Sequence, residues 1–297
     1  MISIFRGSTG LNTKIDPARL YSKEGIKDLA VAADVDVTDT GRISRRKGYT
    51  ERASIESHSL FCDKGKCLFV SGTSLYELLP DYSYTVLAAV TANKRVSYTE
   101  INERIYWCNG TEKGYITDKN NSWVKGNYIG PTSKRTLSDP PTGTIVEYYK
   151  NRMYVAQENV LWYSEPGAFG AFDLARGFFQ WATEIRMVRA VDNGIFVSTE
   201  KNTYLLLGRS PLQFEQVKVA GFPAIKHSDC KLNGYLSESG IIEGTGQSAM
   251  WVSPQGVCYG GNDGFRNLTI DKIANFSTGR TGSGLVYNNK FLGLINP

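Results

Sequence analysis

Arg152-Met-Tyr-Val-Ala-Gln-Glu-Asn-Val-Leu-Trp-Tyr-Ser164 is the stretch that decides how this chain of 297 residues folds. A β-run ends in polar turn residues, and a second β-run follows at once. The phrase recurs as Cys67-Leu-Phe-Val-Ser-Gly-Thr-Ser-Leu-Tyr-Glu-Leu78, Arg104-Ile-Tyr-Trp-Cys-Asn-Gly-Thr-Glu-Lys-Gly-Tyr-Ile116, Gly194-Ile-Phe-Val-Ser-Thr-Glu-Lys-Asn-Thr-Tyr-Leu-Leu206 and Ala249-Met-Trp-Val-Ser-Pro-Gln-Gly-Val-Cys-Tyr259. Aligned at Leu68, Ile105, Met153, Ile195 and Trp251, the copies are spaced by 37, 48, 42 and 56 residues. This is an internal repeat with variable insertions.

Working outward, each copy follows another β-run, such as 95–101, 144–149 and 185–191. Most precede a fourth, such as 122–128, 214–220 and 265–270. Four antiparallel strands recurring at roughly 40 to 50 residues predict the blades of an all-β fold, a β-propeller. Stacked blades cover each other's faces and leave only short edges. Complete units are expected near 55–90, 94–130, 144–183, 184–221 and 238–272. The last β-runs, 284–287 and 290–295, supply only half of a sixth.

The other half is expected from Ala32-Ala-Asp-Val-Asp-Val-Thr-Asp-Thr-Gly-Arg-Ile-Ser-Arg-Arg-Lys-Gly-Tyr49. Val35 and Val37 alternate with polar residues, Asp39-Thr40-Gly41 suits a type I turn closed by a left-handed glycine, and Ile43 sits in a basic run. A lone ribbon is marginal in water, so the hairpin has to join a larger sheet. The expected molecule is therefore a six-bladed propeller whose shared last blade joins 31–50 to 282–297. Residues 1–30, broken by Gly7, Gly10, Asp16-Pro17 and Gly25, form an irregular arm with one short helical turn near Pro17–Leu20.

Composition agrees with a folded, β-rich chain: 41% hydrophobic, 21% charged, 30 Gly, 17 Tyr, 13 Phe and 5 Trp. A net charge of +5 is modest for the length, and the basic residues scatter except at Arg42–Lys47. Five cysteines, Cys62, Cys67, Cys108, Cys230 and Cys258, make an odd, sparse set for which reduced thiols are the expectation. Cys62 and Cys67 flank a turn and can face each other in a hairpin. The start has no apolar signal core and no run long enough to span a bilayer, so synthesis in the cytoplasm without a membrane anchor is expected.

The motifs of enzyme chemistry are weak. His58 and His227 lack metal-ligand spacing, and no cofactor is expected. Gly244-Thr-Gly-Gln-Ser-Ala249 matches a dinucleotide string but leads into a β-run where a helix is required. Asp118, Glu158, Asp192 and Asp263 stand at strand ends, where a propeller funnel can gather acids for glycoside cleavage or where they are solvated turn residues. The aromatic excursion carrying Phe169 and Phe172 reads either as blade core or as a subunit interface. Arg42, Arg45, Arg46 and Lys47 read as an edge protected by charge, as a subunit contact, or as a contact to nucleic-acid phosphates; alternation puts Arg42, Ser44 and Arg46 on the face opposite Ile43.

Gly10-Leu-Asn-Thr-Lys-Ile-Asp-Pro-Ala-Arg-Leu20 followed by 32–49 resembles the start of virion proteins of tailed bacteriophages, the β-propeller hub and nozzle subunits of short-tailed phages. Their pattern is approximately Asn-Val-Asp, a short turn, then Gly-Arg-Leu-x-x-Arg-x-Gly-Tyr. Beyond these segments only the blade rhythm agrees. The resemblance implies a non-enzymatic homo-oligomeric ring, six copies in the usual case. Such a ring sits in the virion tail against an adaptor ring and the tail fibre or tip proteins, and lines and gates the channel through which genomic DNA leaves. DNA in transit should not stick, which places Arg42–Lys47 at a subunit or ring contact, where reversing Arg45 and Arg46 to Glu should block assembly. The rival reading is a carbohydrate-binding or glycosidase-like propeller, and a third is a plain protein-contact scaffold.

Overall fold

This computed structural model describes residues 7–20, 27–38, 40–63, 65–130, 135–233, 246–274, 276, 279–287 and 290–296. Among them the regular secondary structure is strand, apart from single 3-10 turns at Pro17–Arg19 and Pro211–Gln213. The first turn falls where the Asp-Pro pair predicts it, with the Asp16 carboxylate accepting the Ala18 N–H at 2.8 Å. Two compact units divide the chain: Met1–Thr50 with Phe222–Pro297, and Glu51–Gly221.

The first strands, β1 (Val35–Val37) and β2 (Ile43–Arg45), make a two-stranded hairpin of the first unit. The second unit holds four antiparallel sheets in chain order. Sheet one is β3 (His58–Asp63), β4 (Lys66–Ser71), β5 (Ser74–Leu78) and β6 (Tyr84–Ala89). Sheet two is β7 (Ser97–Ile101), β8 (Arg104–Cys108), β9 (Lys113–Ile116) and the two-residue β10 (Asn120–Asn121). Sheet three is β11 (Ile145–Tyr149), β12 (Arg152–Gln157), β13 (Val160–Glu165), β14 (Ala168–Phe172) and β15 (Phe178–Gln180), the last two sharing β13 as partner. Sheet four is β16 (Ile185–Val191), β17 (Gly194–Thr199), β18 (Thr203–Leu207) and β19 (Glu215–Ala220). Every sheet is open, with no pairing between its first and last strands.

Alternation explains how these sheets stack. Strand β8 sends Ile105 and Trp107 into a core with Leu68, Val70 and Leu75 of sheet one, and Tyr106 and Cys108 into a core with Val146, Met153 and Val155 of sheet three. Strand β12 repeats the device: Met153 and Val155 meet sheet two, while Tyr154 and Ala156 meet Ile185, Val188 and Ile195 of sheet four. Strands covered on both faces read as continuous apolar runs, which is why the repeated phrase has little polar alternation. The first strands of sheets two, three and four lie side by side, and the outermost strands, β6 and β19, are largely exposed. Side-chain oxygens close the inner seams: Ser59 Oγ accepts the Val96 N–H at 2.9 Å, and Ser97 Oγ accepts the Val146 N–H at 3.1 Å.

The fourth strand of sheet two departs from expectation. Instead of 122–128 it is only Asn120–Asn121, because Trp123 leaves the ladder and buries its ring beside Phe172, its indole N–H donating to the Phe169 carbonyl at 2.9 Å. Lys125 N–H is likewise drawn away, to the Asp139 carboxylate at 2.7 Å.

In the first unit, sheet five is β20 (Cys230–Asn233), β21 (Gln247–Ser253), β22 (Gly256–Gly261) and β23 (Gly264–Asn267), so its first strand begins before the expected 238. Residues 234–245 lie outside the described residues. The closing pair is β24 (Thr281–Tyr287) and β25 (Lys290–Asn296), in register over seven residue pairs. Its glycine face packs down: Gly282 and Gly284 approach Ser228, and Phe291 joins Leu232, Met250 and Tyr259. The opposite face exposes Leu285, Tyr287 and Leu294.

The expected shared blade is corrected here. Among the described residues β1–β2 and β24–β25 are separate two-stranded sheets, linked by Lys290 Nζ lying 3.9 Å from Asp36 Oδ1. Strands of three residues are too short to cover an edge of seven, and the β1–β2 hairpin engages the arm instead. Ser8 N–H donates to Gly41 O at 2.8 Å, and Leu29 N–H and Asn12 N–H pair with Gly10 O and Leu29 O at 2.8 and 2.9 Å. The described part of the arm is thus built into the first unit, and Thr13 N–H reaches Lys272 O at 2.7 Å.

Candidate functional site

The basic hairpin forms around the expected turn, with Val35 opposite Arg45, Asp36 opposite Ser44 and Val37 opposite Ile43. Gly41 has φ +79°, the left-handed residue that the turn requires, and Gly41 N–H donates to Thr38 O at 2.8 Å. Asp39 lies outside the described residues. Glycine serves twice at this point, since a Cβ on Gly41 would fall 2.9 Å from Ser8 N.

Arg42, Arg45, Arg46 and Lys47 are all exposed, and alternation divides them. Arg46 shares the face of Asp36, with Nε 3.8 Å from Oδ1, and Arg42 lies on that face too. Arg45 lies on the other, beside half-buried Val35 and Ile43. A shallow depression of about 430 Å³ is lined by Asp34, Arg45, Arg46, Lys47, Gly48 and Tyr49. Asp34 holds a positive φ of 53° and its carbonyl accepts the Arg46 N–H at 2.8 Å, which fixes the floor of the depression to the end of β2.

The aromatic excursion is core. Phe172 has 0% exposure and packs with Trp123, Val146 and Met153, so its assignment to a subunit interface is corrected: nothing of the side chain remains to contact a partner. Phe169 is half-buried, its ring edge-on to Tyr148 and Tyr106 with centroids 5.7 and 6.2 Å away. Both residues sit in strand β14 rather than in a loop.

Asp118, Glu158 and Asp192 stand in turns of three different sheets of the second unit, β9–β10, β12–β13 and β16–β17, and Asp263 forms an i,i+3 ion pair with Arg266 at 2.6 Å. Lys66 Nζ draws Asp118 toward Glu77, lying 3.9 and 3.7 Å from them, and a buried pair of acids, Glu165 and Asp173, is brought together as well. Arg135 Nη2 lies 2.6 Å from Glu165 and Nε 2.9 Å from Asp173, both carboxylates being buried. The hydrogen bond that Arg135 donates to Asp173 and the two negative charges push the guanidinium up. This clasp fastens the long segment after sheet two onto sheet three. Nothing in the spacing of an arginine 30 and 38 residues upstream of two acids could have revealed it. A second buried pair, Glu147 and Arg189 at 3.1 Å, joins sheets three and four, with Glu147 at 0% exposure.

Cysteine chemistry also differs from expectation. Cys62 and Cys67, opposite each other across β3 and β4, are joined as a disulfide with Cα atoms 4.1 Å apart, while Cys108 and Cys258 are free thiols. Burial pushes the Cys258 thiol up to about 12 and Cys108 higher still, so neither serves as a thiolate nucleophile at neutral pH. His58 is half-buried, and burial followed by the Arg95 charge lowers its pKa. Among the described residues no cluster of three or more His, Cys, Asp or Glu side chains is placed to hold a metal. Ala249 of the glycine string lies in β21, a strand; Gly244 and Thr245 fall outside the described residues. No described helix is long and apolar enough to cross a membrane.

No family model and no curated protein matches the chain. Solved structures do. The extracellular domain of a one-component system from B. thetaiotaomicron superposes over 85% of this chain at 10% identity, TM-score 0.51, and a streptogramin B lyase over 88% at 10% identity, TM-score 0.50. The fold is a β-propeller. This chain spans 33% of the length of the first protein and 83% of the second. The WD40 β-propeller domain of Doa1 matches more loosely, over 70% of this chain and 66% of its own at 11% identity, TM-score 0.40. At these identities the likeness concerns the path of the chain alone.

Proposed function

We propose that this propeller is a structural component of a bacteriophage tail, a hub or nozzle subunit that assembles with copies of itself, six in the usual ring, around the DNA exit channel. One observation carries the reading. The segments that resemble tail proteins, Gly10–Leu20 and 32–49, are tied together through the residues next to them: Ser8, just before the first, is hydrogen-bonded to Gly41 of the second, and Gly10 and Asn12 of the first to Leu29, just before the second. A resemblance falling on one connected piece of surface is what a shared assembly contact produces. The subunit works as a rigid conduit: packed sheets hold the wall, and loops at the axis block or release the genome.

In this role Arg42 and Arg46, on the Asp36 face of the hairpin, meet a neighbouring subunit or the adaptor ring. The carbohydrate-cleaving alternative asks for two carboxyl groups free to act across a cleft, and the buried pair that lies close, Glu165 and Asp173, is occupied by Arg135. Immunogold labelling of intact particles with antibody to the recombinant protein tests the proposal. Gold at the tail is expected, and its position distinguishes hub from nozzle; gold absent from particles while the protein is abundant in the lysate would overturn it. Arg42→Glu with Arg46→Glu should prevent tail assembly while leaving the fold intact.

A further inference from the structure

Arg46 of the contact face also borders a second feature of the basic cluster. Arg45, Arg46 and Lys47 line one depression together with Tyr49, against a single acidic residue, Asp34. The side chains of Arg45, Lys47 and Tyr49 make no hydrogen bond, ion pair or ring contact among the described residues. Tyr49 is 84% exposed. Charge that merely protects a strand edge explains the cations. It does not explain a large aromatic ring held bare among them. Cations beside an exposed aromatic side chain are the two parts of a single-stranded nucleic-acid site: the cations take phosphates, and the ring takes the flat face of a base whatever its identity.

We infer that the depression bounded by Arg45, Arg46, Lys47 and Tyr49 binds single-stranded nucleic acid, with backbone phosphates on the three cations and one base stacked on Tyr49. The inference does not rest on the tail reading, since it needs only these side chains. It also fits a weak contact. Three neutralised phosphates give a salt slope of about −2 for a single strand, so raising salt from about 50 to 200 mM should weaken binding about 20-fold.

The test uses the full-length protein and a short fluorescent oligonucleotide in low salt, with its duplex, an abasic strand of equal length and an acidic peptide as comparisons. The single strand should bind best. Tyr49→Ala should weaken it at least about five-fold while leaving the abasic strand unaffected, because stacking is the interaction removed. Arg45→Glu with Lys47→Glu should weaken single strand and abasic strand alike and flatten the salt slope. All four side chains are exposed, and matched thermal melts confirm that the variants fold. No binding at low salt, binding that ignores Tyr49→Ala, or tighter binding of the acidic peptide would each overturn the inference. None of these results bears on whether the protein is found in a tail.

Discussion

Asp28 sets the attachment of the arm. Burial pushes its carboxyl up, but hydrogen bonds from Thr9 and Asn12, the latter at 2.8 Å, and the Lys272 ammonium at 3.5 Å outweigh burial and hold it below the ordinary carboxylate range. A carboxyl lowered on folding contributes stability that is complete above its unfolded value and is lost as pH falls through its folded one. Urea titrations of the intact chain should therefore show an acid limb beginning below about pH 5. Asp28→Asn should flatten that limb, and coincident acid limbs for the two proteins would contradict the assignment. None of this was legible in the sequence, where Asp28 is one acid among many. Its partners lie 16 and 19 residues before it and far along the chain at Lys272.

The β1–β2 hairpin is the element where reading and structure agree most closely. Val-x-Val alternation, a turn and a glycine are local signals, and they fix strand bounds, register and the left-handed Gly41. Gly41→Ala should cost about 1–2 kcal/mol for the positive φ alone and should also push Ser8 away. Amide exchange of Ser8 is the measurement, and protection unchanged in the variant would mean that the close approach is not needed. Elements shaped by distant partners were not legible. The 122–128 run has strand composition, yet Trp123 is claimed by the Phe169 carbonyl and Lys125 by Asp139. Sheet five starts in a four-residue strand, Cys230–Asn233, too short to stand out from the long gap around it. For the candidate site, sequence identified the four cations and alternation separated them correctly. The value of Tyr49 was invisible, because exposure of an aromatic is not a property of its neighbours in the chain.

At the scale of the whole molecule, repetition was the strongest signal: five copies of one phrase mark five sheets of four or more strands among the described residues. The second unit, Glu51–Gly221, contains four of these sheets with three continuous cores between them. Repeat units stacked in this way draw their stability from nearest neighbours. Expressed alone, 51–221 should melt cooperatively with native β-sheet circular dichroism, and a broad, non-cooperative melt would show that its sheets depend on the remaining chain. Closure of the terminal hairpins into one blade was not borne out in the pairing, since each hairpin found nearer partners. The disulfide carries one more consequence. The β3–β4 ladder by itself holds Cys62 opposite Cys67, so oxidation requires no search through chain conformations and the two sulfurs respond directly to their surroundings. Whether a purified sample carries the bond or two thiols would then record the compartment through which the protein last passed, a chemical postmark readable by mass.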